Sequence, residues 1–119
     1  MLELAQVLLL NYGALYGTLT ARILARIMIK TFEHKGLRKF WESGSTAGIK
    51  HYHAVKLRLI LQRLDAAEEV SDIDFSGARL HQLKGNMKGL WSVTVNGNWR
   101  ITFKFEKGDV YIVNYLDYH

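Results

Sequence analysis

The 119-residue chain contains no cysteine and no proline. Without cysteine there can be no disulfide, no thiolate nucleophile and no cysteine–zinc site, and a reducing compartment is allowed. Without proline, helices and strands run uninterrupted by the one residue that lacks a backbone donor. Acidic residues are in the minority, 11 Asp and Glu against 16 Lys and Arg, for a net charge of +5. A small basic domain suits a polyanion such as RNA or DNA, or an acidic protein. Long apolar runs are also missing. Residues 1–27 are rich in Leu, Ala and Tyr, but Asn11, Thr18, Thr20 and the glycines interrupt them, which argues against a membrane span. They lack the basic start and small-residue cleavage site of a signal peptide. His51, His53 and His81 form no metal-ligand spacing with any carboxylate, so they read as structural or surface residues and no cofactor is expected.

What is present is apolar periodicity. Hydrophobic residues make up 49% of the chain, enough for the single core of one small domain. Ile29–Phe32 reads as a short strand. Leu37, Phe40 and Trp41 recur at helical spacing and predict a helix over 36–43, stopped by Ser43-Gly44-Ser45-Thr46-Ala47-Gly48. Leu57, Ile60, Leu61 and Leu64 form one stripe of a helix over 50–67, with Lys56 and Arg63 on its wet side. Glu68 to Asp74 is the loop out of that helix, and Arg79–Leu83 begins the strands.

The last forty residues read as a β-meander. Residues 91–95 and 99–106 alternate apolar and polar, and Asn96-Gly97-Asn98 and Lys107-Gly108-Asp109 are turns. A three-residue turn at 96–98 would pair Val95 with Trp99 and Val93 with Ile101. A two-residue turn at Lys107-Gly108 would pair Phe105 with Val110 and Phe103 with Ile112, keeping one face apolar. The other face then carries Thr94, Arg100, Thr102, Lys104, Tyr111, Tyr115, Asp117 and His119, with Arg100 opposite Tyr115 and diagonal to Asp117. The expected class is α+β: two N-terminal helices packed on a small, mostly antiparallel sheet.

An imidazole, a guanidinium and a carboxylate on one face can be no more than a solvated surface. They are also what RNA self-cleavage requires, because attack of a 2′-hydroxyl on the adjacent phosphate needs proton transfer and fixed cations but no metal. His119 is the proton-transfer candidate, and its own α-carboxylate and Asp117 favour the charged ring. Arg100 can fork onto phosphate oxygens, and Lys84 can act as a point cation. Tyr118 can stack on a base, although strict alternation turns it away from His119.

The segments Leu80-His81-Gln82-Leu83-Lys84-Gly85, Gly89-Leu90-Trp91-Ser92-Val93, Gly97-Asn98-Trp99-Arg100-Ile101-Thr102-Phe103 and Asp117-Tyr118-His119 closely resemble HigB toxins of the RelE/ParE superfamily. Met28-Ile29-Lys30-Thr31-Phe32-Glu33-His34-Lys35-Gly36-Leu37 fits the family's usual N-terminus. The resemblance covers 28–119 and implies a RelE-like fold and a ribosome-dependent, cytoplasmic mRNA endonuclease, neutralised by a helix-turn-helix, HigA-like antitoxin. It places His119, Arg100 and Lys84 at catalytic positions, and Asp117 joins that catalytic set by orienting His119. Residues 1–27 are then an extension, or translated upstream sequence. The chain departs from many relatives in having Gln82 for proline, Leu116 for glutamate and no basic residue in the Trp91–Val95 strand. Arg79, Lys88 and Lys104 are the cations available to replace the missing one. The alternatives are a ParE-like inhibitor of DNA gyrase, which needs no proton-transfer histidine, and a noncatalytic basic binding domain.

Overall fold

Helix α1 (Lys35–Ser43) begins where His34 caps it: the ring Nδ1 accepts the Leu37 N–H at 2.9 Å. It ends at Gly44, whose positive φ lets its N–H reach the Phe40 carbonyl. Helix α2 (Ala54–Ala66) follows a 3-10 turn at His51–His53, so the predicted helix start at 50 is tighter than an α-helix. The acidic loop after α2 is itself ordered. Val70–Ile73 forms a 3-10 turn closed by a reciprocal capping box between Glu69 and Asp72. The computed structural model describes residues 29–118; residues 1–28 and His119 lie outside the described residues.

Four antiparallel strands follow in the order β1-β2-β3-β4: His81–Gln82, Trp91–Asn96, Trp99–Glu106 and Asp109–Asp117. The expected class is therefore met as an α+β arrangement with a four-stranded meander, although the first helix starts only at Lys35. The segment from Ile29 to Phe32 runs along β4 through parallel bridges to Val110 and Val113, which completes the mixed edge. The expected strand at 79–83 shrinks to His81–Gln82. Leu37 and Phe40 of α1 and Leu57, Ile60, Leu61 and Leu64 of α2 join Val93, Ile101, Phe103, Val110 and Val113 in one buried core. The helices thus cover one face of the sheet and leave the other for a site.

Two bulges revise the predicted register. Val93 does pair with Ile101, but the ladder shifts between Thr94 and Asn96, so Asn96 pairs with Trp99 across a two-residue Gly97-Asn98 turn. The three-residue turn and the Val95–Trp99 pair are therefore incorrect. Gly97, with φ +56°, supplies the left-handed position that such a turn asks for. Phe105 does pair with Val110, but a second shift falls between Thr102 and Lys104, so Phe103 does not pair with Ile112. Ile112 sits at φ +48° and is exposed, while Val113 is fully buried. One inserted residue reverses every side chain that follows it.

That reversal corrects the predicted polar face. Tyr115 does not face Arg100: it pairs with Ile101 and is buried. Arg100 instead opposes Leu116, and Asp117 opposes Trp99 on the other face. The Ile112 backbone is held in place from far along the chain. Its N–H donates to the Thr31 hydroxyl at 2.7 Å, and the Val113 N–H donates to the Thr31 carbonyl at 3.1 Å.

Candidate functional site

On the sheet face away from the helices, the cross-strand pairs His81–Ser92, Ser92–Thr102 and Thr102–Asn114 make a continuous polar row. The next row runs Thr94–Arg100–Leu116. Above them lies a cleft of about 820 Å³ lined by Arg79, Leu80, His81, Leu83, Ser92, Thr94, Arg100 and Tyr118. No carboxylate appears among those lining residues. The floor is polar. Ser92, which lines it, and its cross-strand partner Thr102 are each only 2% exposed, and the Thr102 hydroxyl has no hydrogen-bond partner among the described residues. A second hollow of about 470 Å³ adjoins across Leu83, lined by Gln82, Lys84, Gly85, Lys88 and Gly89.

Each polar group has a local reason for its place. Arg100 leaves β3 just after the turn, and its Nη1 donates to the Gly97 and Trp99 carbonyls at 2.6 and 3.0 Å. Those bonds steady the guanidinium, and its planar fork has further donors that can meet a phosphate. Leu116, opposite it, offers no carboxylate to neutralise that charge. Arg79 enters from the loop before β1 with φ +52°, a costly conformation for a side-chain-bearing residue. The Ala78 carbonyl beside it accepts the Thr94 N–H at 2.8 Å and pins that loop to β2. The His81 Nδ1 lies 2.7 Å from the Arg79 carbonyl. A carbonyl can only accept, so Nδ1 carries the proton and Nε2 is left as acceptor when the ring is neutral.

The structure sorts the predicted residues. Arg100, Arg79 and Tyr118 share the main cleft, while Lys84 and Lys88 share the adjoining hollow. Tyr118 reaches Arg100's side because of the bulge, and its N–H is tied to the Asn98 carbonyl at 2.8 Å. Lys104 does not join them: its ammonium pairs with Glu106 at 3.2 Å further along β3. Of the three cations available to replace the missing one, Arg79 is the one that lines the cleft with Arg100. Asp117 lies on the opposite face, by Trp99. His119 lies outside the described residues. His81, read from the sequence as a structural or surface residue, is an exposed residue that lines the cleft. The Arg79-x-His81-x-Leu83 alternation was the available signal, since period two puts all three on one face.

Behind the site, buried and half-buried rings brace the sheet. Trp99 and Tyr115 stack with centroids 4.6 Å apart, and the Tyr115 hydroxyl is 2.6 Å from the His53 Nδ1. Burial, seconded by the nearby Lys50 charge, holds the His53 pKa below the usual imidazole value. Burial likewise keeps the Tyr115 hydroxyl protonated by raising its pKa.

Comparison with known proteins bears on the family and the fold. Residues 30–119 match the family described as the RelE-like toxin of type II toxin–antitoxin system HigB. The chain is similar to "Endoribonuclease HigB" of Proteus vulgaris, 47% identical over 92 residues, covering 77% of this chain and 100% of the relative. It is also similar to "Toxin HigB-1" of Vibrio cholerae serotype O1, 34% identical over 98 residues and covering 98% of that relative. A YoeB dimer structure from Staphylococcus aureus shares the fold, with a TM-score of 0.52 at 16% identity, covering 79% of this chain and 98% of that one.

Proposed function

The chain belongs to the HigB-like family of RelE-like toxins from type II toxin–antitoxin systems and is an endoribonuclease toxin, and on that premise we propose that it cuts mRNA held on the ribosome. The observation that carries the reading is the cleft itself: Arg79, Arg100 and His81 around a polar floor, with Lys84 and Lys88 in the next hollow and no carboxylate among the described residues that line either. Such a wall attracts a phosphate backbone.

The cleavage is metal-independent. The 2′-hydroxyl of one nucleotide attacks the adjacent phosphorus and the P–O bond to the 5′-oxygen breaks. The products are a 2′,3′-cyclic phosphate, opening to a 3′-phosphate, and a 5′-hydroxyl. Arg100 and Arg79 grip the non-bridging oxygens and gain strength as charge develops there. Lys84 neutralises the neighbouring phosphate, and Lys88 extends that track. His119 transfers the proton. Asp117, across from Trp99 on the sheet face away from Arg100, orients His119. Tyr118 offers an aromatic face to an unpaired base. His81, with Nε2 free to accept, is a second proton-transfer group in reach of the same cleft.

Free RNA is cut poorly in this reading, because the decoding site supplies the in-line geometry. The site of action is therefore the cytoplasm, and the partner is a HigA-like helix-turn-helix antitoxin. Among the described residues no helix is long and apolar enough to cross a membrane. Primer extension on translated mRNA tests the reading. Wild-type protein should give discrete stops and Arg100→Ala should lose them. Absence of cuts by the wild type, with DNA damage signalling instead, would return the gyrase-inhibitor reading.

A further inference from the structure

Helix α2 has two apolar faces, and the core uses only one. Leu57, Ile60, Leu61 and Leu64 point inward and are fully buried. On the opposite side Tyr52, Val55 and Leu59 are 64%, 79% and 42% exposed. Single exposed apolar side chains are ordinary, but these three recur at i, i+3 and i+7 and make a continuous stripe along the turn and helix. The other exposed large apolar side chains among the described residues are accounted for, Ile112 by its bulge and Tyr118 by the cleft.

The stripe's borders are mainly basic, with one carboxylate, Asp65, and three cations. At 100° per residue Arg58 falls on the same side as Asp65, and Lys56 and Arg63 on the other. All three cations are held over aromatic rings: Lys56 and Arg63 over Phe75 at 4.8 and 5.2 Å, Arg58 over Phe40 at 5.3 Å. Stacking on the protein's own rings keeps the cations beside the stripe and lowers the entropy lost when a partner binds them. The surface that complements this one has an apolar centre and acidic edges.

We propose that the outer face of α2 is the docking surface for the antitoxin, which seats an amphipathic segment with acidic flanks along Tyr52, Val55 and Leu59. The family supplies the existence of such a partner, and the charge pattern supplies its chemistry. The inference rests on the toxin–antitoxin reading, but not on the catalytic roles assigned in the cleft. The helices and the cleft lie on opposite faces of the sheet, so the two surfaces can be altered separately.

The test uses the full chain and the antitoxin encoded beside its gene. Val55→Asp combined with Leu59→Asp places carboxylates on the stripe, where acidic flanks would meet them. The affinity should fall about 100-fold or more, while the melting temperature, the mass in solution and mRNA cleavage stay as in the wild type. Tyr52→Ala should weaken the complex about tenfold or more, and Lys56→Glu with Arg63→Glu should flatten its salt dependence. Unchanged affinity in the Asp double variant overturns the proposal. So does a drop in its melting temperature, which would show the stripe already covered within the chain. A changed mass in solution would mark a self-association face and overturn it too. Lost cleavage with intact antitoxin binding would assign the stripe to the ribosome. If wild-type protein cuts no mRNA, the function reading fails while the binding result still decides this one.

Discussion

The Tyr115 hydroxyl sits 2.6 Å from the His53 Nδ1 in the interior behind the cleft. The Lys50 N–H donates to the same hydroxyl at 3.4 Å. The hydroxyl and Nδ1 share one hydrogen bond whose direction follows the imidazole tautomer, and burial keeps both groups uncharged by lowering the His53 pKa and raising that of Tyr115.

This arrangement makes stability depend on pH with a definite sign. In the unfolded chain His53 titrates at the ordinary imidazole value of about 6.5, and in the fold it titrates below that. Between those two values the unfolded state binds more protons, so stability falls as pH drops through about 6.5 and levels off once below the folded value. His34, also lowered chiefly by burial, adds in the same direction. Urea midpoints measured from pH 7.5 to 5 should show the fall, and His53→Gln should flatten it to the His34 share. Tyr115→Phe should cost about 1–3 kcal/mol at pH 7.5, because Nδ1 loses its hydrogen-bond partner in the interior.

Ile112 is a β-branched residue held at φ +48° with 40% of its surface exposed. Asparagine tolerates that conformation far better, so Ile112→Asn should stabilise the fold by about 1 kcal/mol, read from the denaturant midpoint at unchanged slope. Thr31→Val should do the reverse. It removes the acceptor of the Ile112 N–H, loosens the bulge, and should lower both stability and mRNA cleavage, because the bulge sets which side Tyr118 takes.

The proposed site residues should rank by role. His119→Gln should lose about 10²–10⁴-fold in cleavage without a change in melting temperature. Arg100→Ala should lose about 10²–10³-fold through transition-state charge. Arg79→Ala and Lys84→Ala should lose less, and Lys104→Ala almost nothing, since its ammonium already pairs with Glu106. His81→Gln should cost about 10²-fold. Primer extension with all variants on one translated message gives the order. Equal cutting by His81→Gln and wild type would return His81 to a surface role.

Residues 1–27 should be dispensable. The resemblance starts at Met28 and the family match at residue 30. A chain beginning at Met28 should fold, with far-UV circular dichroism and melting temperature close to those of the full chain, and should cut the same message. A collapse of its melting temperature would make the extension part of the core.

The sequence by itself determined the local matters. Helical spacing placed Leu37 and Phe40 of α1, and Leu57, Ile60, Leu61 and Leu64 of α2, in the core, where they are. Alternation and the Lys107-Gly108 turn placed Phe105 across from Val110, and the charge excess pointed to a polyanion. These features act within a few residues, so a window of sequence contains their cause. The tertiary structure decided what depends on distant partners. Thr31 captures the Ile112 N–H across 81 positions of sequence, and the bulge it holds turns Tyr115 into the core and Tyr118 into the cleft. Period two carries a strand's facing forward until one residue is inserted, and where that insertion falls is set by the strand alongside. His81 became a site residue for the same reason: its pairing with Ser92, and through Ser92 with Thr102, exists only once three separate strands lie side by side.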